Sequence, residues 1–235
     1  IPKMYHKEKS IQIKSSASAI YNNLSVLRIA PRCLNCFTVV QTVSSGCPFQ
    51  FLTLPSGVSS GSVLVFDVPS KGSNIILSEV LEEHKEAITD MASECSGNLE
   101  CIADLVSADD SGLLCVWKSG EDFHLLNKIL VLSITSCSSV KLWKGTVIAG
   151  YGTGQIRLYE GVTGILHAEV NAQARWIYSL DFAPFTGLLI SAAEDSWVRV
   201  WLVSLTPETN SVEVNALTDK YSTLPIKSLW SVRLF

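Results

Sequence analysis

Four short stretches of this chain end in the same way. GSVLVFD closes on Phe66, SGLLCVW on Trp117, GTGQIRLY on Tyr159 and EDSWVRVW on Trp201. In each, a turn built from Gly, Asp, Ser or Thr leads into a short run of β-forming residues that finishes on an aromatic ring. The rings are separated by 51, 42 and 42 residues. Two equal periods, and a third with an insertion, are what a stack of supersecondary units produces, because each unit must bury its apolar faces against its neighbours. A repeat of this length has room for four strands.

The details around two of the rings carry a resemblance. Ser107 lies ten residues before Trp117, and Ser191 ten before Trp201; Asp109 and Asp195 sit in the turns between. His84 stands 23 residues ahead of Ser107, with CSGNLE, residues 95–100, as the extra loop, and Gln173 stands 18 ahead of Ser191. This pattern resembles the WD40-repeat family, whose units run roughly 40 to 45 residues and build the blades of a β-propeller. The resemblance implies an all-β propeller with blades ending near 66, 117, 159 and 201. It also implies a buried network in which Trp donates to Ser, and His links Ser to Asp. His84, Ser107, Asp109 and Trp117 form the fullest set. In the last blade Gln173 replaces the imidazole, so the set Gln173, Ser191, Asp195 and Trp201 is expected to be weaker. Tyr159 replaces Trp and Ala149 replaces Ser in the blade between them, which is left to rest on packing. Trp197 and Arg199 share the Trp201 side of their strand, nearer the edge.

One segment permits another reading. LSEVLEEHKEAITDM, residues 77–91, spaces Leu77, Val80, Leu81, His84, Ile88 and Met91 as an amphipathic helix would. Between two strand endings, the repeat instead requires an outer strand, a loop at His84 and a new inner strand, and that reading is favoured. The chain is expected to form a single domain over 1–235, with four recognisable blades in an incomplete or open ring. Residues 1–9 are expected to be a disordered start, and 41–60 and those after 214 to be shortened or divergent. The stretches IQIKSSA and NLSVLRI could supply an N-terminal strand that completes the last blade. An open ring would expose strand edges and invite self-association.

Composition narrows the function. The net charge is −4 and the 18 Lys and Arg are scattered, which disfavours nucleic acid as the main partner. The local excess at Lys3, Lys7, Lys9 and Lys14 is interrupted by Glu8 and suits a solvated terminus. No charged residue occurs from Cys33 to Phe66, yet Gly46, Pro48, Pro55, Gly57 and Gly61 interrupt every apolar run, so stable membrane insertion is not expected. The seven cysteines are odd in number and irregularly spaced, as in a reduced cytoplasmic protein. Cys33 and Cys36 have C-x-x-C spacing without the second pair a structural zinc needs, so no metal, redox or other cofactor is expected. Ser107, His84 and Asp109 also have the composition of a hydrolytic triad, but no G-x-S-x-G elbow occurs, and no catalytic residues are assigned.

By the resemblance, the expected function is that of a non-enzymatic scaffold or adaptor in the cytoplasm that binds other proteins or peptides on one propeller face. Glu86, Arg175 and Trp176, two or three residues after the His84 and Gln173 positions, are the candidate contacts. Arg and Trp are favoured where binding energy concentrates, although Trp176 could equally pack into its own blade. A peripheral membrane or vesicle-associated adaptor using the N-terminal lysines is the alternative, and a hydrolase with a site in the central channel is a more distant one.

Overall fold

The computed structural model describes residues 53–57, 61–67, 76–94, 103–120, 122–131, 135–206 and 211–221. The N-terminal lysines, the Cys33/Cys36 pair and the stretches IQIKSSA and NLSVLRI lie outside the described residues. Among the described residues there are fifteen β-strands, and no helix is long and apolar enough to cross a membrane. Residues 77–91 form the end of one strand, a loop carrying His84 and the start of the next strand, rather than a helix.

The strands make four antiparallel sheets in chain order. Blade 1 contains β1 (Thr53–Gly57), β2 (Val63–Asp67) and β3 (Ile76–Leu81). Blade 2 contains β4 (Ile88–Ser93), β5 (Leu105–Asp109), β6 (Leu114–Lys118) and β7 (His124–Ile129). Blade 3 contains β8 (Cys137–Trp143), β9 (Thr146–Tyr151), β10 (Gln155–Glu160) and β11 (Leu166–Asn171). Blade 4 contains β12 (Ile177–Ala183), β13 (Leu188–Ala193), β14 (Trp197–Thr206) and β15 (Ser211–Tyr221). The inner strands β4, β8 and β12 lie beside one another, and the described sheets do not close into a ring.

Blade 4 differs from expectation in its outer strand. Ser211–Tyr221, part of which was expected to diverge, pairs with β14 from Trp197↔Tyr221 to Thr206↔Ser211. Val212 and Val214 point inward against the core shared with blade 3, while Ser211, Glu213 and Asn215 are exposed. That alternation completes the sheet from within the repeat, so no N-terminal strand is needed there.

Burial follows position in the blade. All five residues of β5 and all six of β9 are buried, whereas the outer strand β7 alternates between exposed and half-buried up to the buried Ile129 at its end. The second strands β5 and β9 have a neighbouring blade on both faces, so successive residues are buried on alternate sides. Period-two alternation then divides each strand between two cores. From β9, Val147, Ala149 and Tyr151 join the core between blades 2 and 3, while Ile148 joins the core between blades 3 and 4. From β6, Leu114 and Val116 face blade 3, and Cys115 and Trp117 face blade 1.

In blades 1 to 3 the turn before the closing strand places a glycine where the following blade approaches. Gly112 and Gly154 have φ of +87° and +85°. A Cβ at Gly112 would lie 2.3 Å from the Thr135 carbonyl oxygen, and one at Gly154 would lie 2.2 Å from that of Gln173. Gly112→Ala therefore combines a left-handed backbone with a clash against main chain, and its stability in urea unfolding is expected to fall by about 2 kcal/mol or more. Gly120→Ala, at an ordinary φ with its nearest contact at 3.2 Å, should cost clearly less in the same measurement.

Candidate functional site

In blade 2 the closing aromatic is tied to the loop that opens the blade. The Trp117 indole Nε1–H donates to Ser107 Oγ at 2.9 Å. Ser107 Oγ lies 2.7 Å from His84 Nε2, and His84 Nδ1 lies 2.8 Å from Asp109 Oδ2. With the imidazole proton on Nδ1, each donor meets one acceptor: indole to hydroxyl, hydroxyl to imidazole, imidazole to carboxylate. Asp109 Oδ1 also accepts from Ser111 N–H and Leu113 N–H, both at 3.0 Å, and from the Ser111 hydroxyl at 2.6 Å. Desolvation alone would raise the Asp109 pKa, but the His84 and Ser111 hydrogen bonds outweigh it and hold the carboxyl below its usual value. All four side chains are buried. Ser107 is fully buried and its Oγ is hydrogen-bonded on both sides, so the set ties the closing strand to the loop that opens the blade.

Blade 4 solves the same problem with different groups. Trp201 Nε1–H and Gln173 Nε2–H both donate to Ser191 Oγ, each at 2.9 Å. Gln173 cannot pass a proton onward as imidazole does, but its Oε1 accepts from Arg199. The same guanidinium nitrogen reaches the Ala172 carbonyl at 2.7 Å and Asp195 Oδ2 at 3.4 Å. Asp195 then fixes the loop and the turn by accepting from Ala174 N–H at 2.8 Å and Trp197 N–H at 3.0 Å. The network is therefore complete, with glutamine and arginine together replacing histidine. The sequence carried a signal for Arg199: it lies two residues before Trp201 on the same strand and four after Asp195.

Blade 3 has neither arrangement. Its Tyr159 hydroxyl lies 3.3 Å from that of Tyr151, and the Arg157 guanidinium sits 5.1 Å from the Tyr151 ring centroid. Tyr151 is fully buried, and desolvation drives its phenol well above the usual range. Among the described residues the Ser136 hydroxyl, in the loop entering this blade, is the one buried side-chain oxygen without a partner.

The inner strands are joined by a second set of groups that sequence reasoning missed. Asp90 of β4 accepts Met91 N–H through Oδ1 at 2.9 Å. Its Oδ2 accepts the Ser139 hydroxyl at 2.9 Å and Val140 N–H at 2.8 Å, both from β8. Burial raises the Asp90 pKa against the opposing pull of Lys141 and these hydrogen bonds.

The candidate contact residues fall at the end of the sheets where inner strands begin. Glu86 is exposed on the loop into β4; Arg175 and Trp176 are exposed on the loop into β12, with blade 3 between the two loops. Trp176 retains 38% of its surface. It does not fold into its own sheet: its ring covers Gly152 in the blade 3 turn so closely that a Cβ there would lie 2.6 Å from the ring carbons.

Four-stranded sheets built on a repeated Trp–Ser link, with inner strands side by side, define a WD40-repeat β-propeller protein. A sequence profile of the WDR54 family matches residues 43–222, and the chain belongs to that family. It is 52% identical over 158 residues to the WD repeat-containing protein 54 of Mus musculus and to that of Homo sapiens, and 51% identical over 158 residues to WD repeat domain 54 of Rattus norvegicus. Each match covers 67% of this chain and 47% of the relative, so the chain spans about half their length. Among solved structures, a chain of the crystal structure of a mitotic checkpoint complex superposes with a TM-score of 0.57 at 19% identity, covering 74% of this chain and 51% of that one. That likeness concerns the fold alone.

Two predictions concern these networks. Arg199→Met leaves the Gln173 oxygen and the Asp195 carboxylate without their shared donor and should lower stability in urea by about 2 kcal/mol. Arg199→Lys should recover only part, because its ammonium sits one bond nearer the backbone than the guanidinium nitrogen that makes all three contacts. The second concerns acid. A carboxyl held below its unfolded pKa contributes stability that is complete above the ordinary carboxylate range, near pH 4, and is lost as pH falls through the lowered value. The stability difference between pH 6 and pH 3, from urea titrations, should accordingly shrink in Asp109→Asn.

Proposed function

We propose that this chain is a protein-interaction scaffold that binds a peptide or protein segment at the propeller end where the inner strands begin. The observation that carries the reading is Trp176: an aromatic side chain on the surface, held in one place by the Gly152 main chain and flanked by exposed Arg175. A ring that is already fixed loses little conformational entropy on binding, which favours affinity. Arg175 would pair with a carboxylate or phosphate beside an apolar side chain that covers the indole. Glu86 would meet a basic group where a partner extends over blade 2. The WD40 fold supports the scaffold class, and adaptor activity in the cytoplasm is our reading of it. Free cysteines Cys115 and Cys137 suit that compartment; burial pushes the Cys115 thiol up to about 12, so neither is a reactive group.

The test is a peptide array probed with the wild-type chain and with the Arg175→Ala, Trp176→Ala double variant. Selected peptides should bind the variant at least about tenfold more weakly, with an unchanged melting midpoint. Equal binding by both proteins would move the contact face elsewhere.

A further inference from the structure

Trp176 and Phe185 stand at opposite ends of β12, whose seven residues separate them by roughly 20 Å. The far end carries an apolar band of its own. Phe185, on the β12–β13 turn, is fully exposed, and Val162, Ile165 and Leu166, at the β10–β11 turn of blade 3, are exposed as well. The β8–β9 turn lies between them and is bonded to both. Its Trp143 indole N–H donates to the Pro184 carbonyl at 3.2 Å, and its Gly145 carbonyl accepts Gly161 N–H at 2.8 Å. Three turns from two blades therefore form one continuous surface. A lone exposed apolar side chain is ordinary, but a run of them on joined turns is the mark of a contact site.

The surface is also rigid. Trp143 packs on Phe182 with ring centroids 4.9 Å apart. Thr186 N–H and Gly187 N–H both donate to the Ala183 carbonyl, and a Cβ on Gly187, at φ +72°, would lie 2.4 Å from the Val203 carbonyl oxygen. None of these contacts requires a phenyl ring at the tip, where turn chemistry favours small polar residues. One cation stands within the band. Lys144 is exposed, and its ammonium lies 5.0 Å from the centroid of the Trp143 ring. The neighbouring carboxylates are committed to their own turns: Glu94 accepts Lys144 N–H at 2.7 Å and Gly145 N–H at 3.2 Å, and Glu160 accepts the Thr163 hydroxyl.

We propose that this end of blades 3 and 4 is a second docking surface, and that its occupant is an amphipathic helix of another protein. Apolar side chains of the helix cover Phe185 and Ile165, and a carboxylate meets Lys144. Turns offer no strand edge, so an extended segment would find no ladder here, whereas a helix brings its own main-chain hydrogen bonds. A bilayer fits less well, because a single lysine attracts anionic lipid weakly and Glu94 and Glu160 oppose it. The two surfaces lie at opposite ends of β12, so both can be occupied at once, and this one stands whether or not Arg175 and Trp176 bind a peptide.

The test is a display library of amphipathic helices, with Leu at i, i+3, i+4 and i+7 and with Glu, Gln or Lys at a flanking position, selected on the full chain. Helices carrying Glu should be enriched. By fluorescence anisotropy, Phe185→Asp and Ile165→Asp should each weaken the selected helices at least about tenfold, with unchanged melting midpoints. Lys144→Glu should shift the enrichment from Glu to Lys, and the Arg175→Ala, Trp176→Ala double variant should bind the helices as the wild type does. No enriched helix, indifference to Phe185→Asp or Ile165→Asp, enrichment unmoved by Lys144→Glu, or loss in the double variant would each overturn the proposal. So would Phe185-dependent binding to phosphatidylcholine–phosphatidylserine vesicles in place of helices, which would make the surface a membrane contact. Should either Asp variant fail to fold, the Lys144→Glu charge swap decides.

Discussion

A blade of this protein has no core of its own. Period-two alternation sends Val147 and Ile148, adjacent in β9 and both fully buried, into different cores shared with different neighbours. Burying a side chain of that size is worth roughly 1.5–3 kcal/mol. Each such contribution exists only while the neighbouring sheet is in place. Stability is therefore a property of blade interfaces, and the fold is built from contacts that no single repeat can satisfy. The same constraint explains why glycine is needed at Gly112 and Gly154: sheets that supply one another's cores must meet backbone to backbone at the turns.

Polar groups buried in these interfaces must find hydrogen-bond partners, some within their own blade and some across to the next. Blade 2 does so with a fully buried imidazole. Blade 4 uses an arginine whose side chain remains a quarter exposed, so its charge keeps part of its hydration while one face serves Gln173 and Asp195. That is a sound exchange, because a fully buried guanidinium would need every donor matched. Blade 3, without a Trp–Ser link, relies on the buried Tyr151–Tyr159 pair and on apolar residues of the two largest cores. Two buried carboxylates, one bonded within its blade and one across to the next, differ in outcome. Asp109 is held low by hydrogen bonds that favour its charge, whereas desolvation wins at Asp90.

The parts of this fold legible in the sequence are those written at short range. Ser107 and Trp117 are ten residues apart on paired strands, as are Ser191 and Trp201, so the repeat, the closing rings and the turn acids could be read directly. Links between blades leave no such trace. Asp90 meets Val140 across 50 residues, and Ser139 meets Leu180 across 41, and each looks like an ordinary polar residue in a strand. Arg199 was visible on the correct face, but its role depends on Gln173, 26 residues earlier. The outer strand of blade 4 was hidden for another reason: its second half, NALTDK, residues 215–220, is mostly polar, because an outer strand needs only one apolar face.

The buried networks and the exposed candidate contacts belong to the same loops. His84 is fixed by Ser107 and Asp109, and Glu86 follows two residues later. Gln173 is fixed by Ser191 and Arg199, Ala174 by Asp195, and Arg175 and Trp176 come next. Trp176 is then clamped from the adjacent blade by Gly152. A residue such as Ser191, at zero exposure, thus acts on the proposed contact surface without reaching it, because it helps to fix where the loop lies. Preorganisation of this kind lowers the cost of association. The interactions that tie each blade together are therefore the same ones that fix the shape of the rim on which the proposed contacts lie.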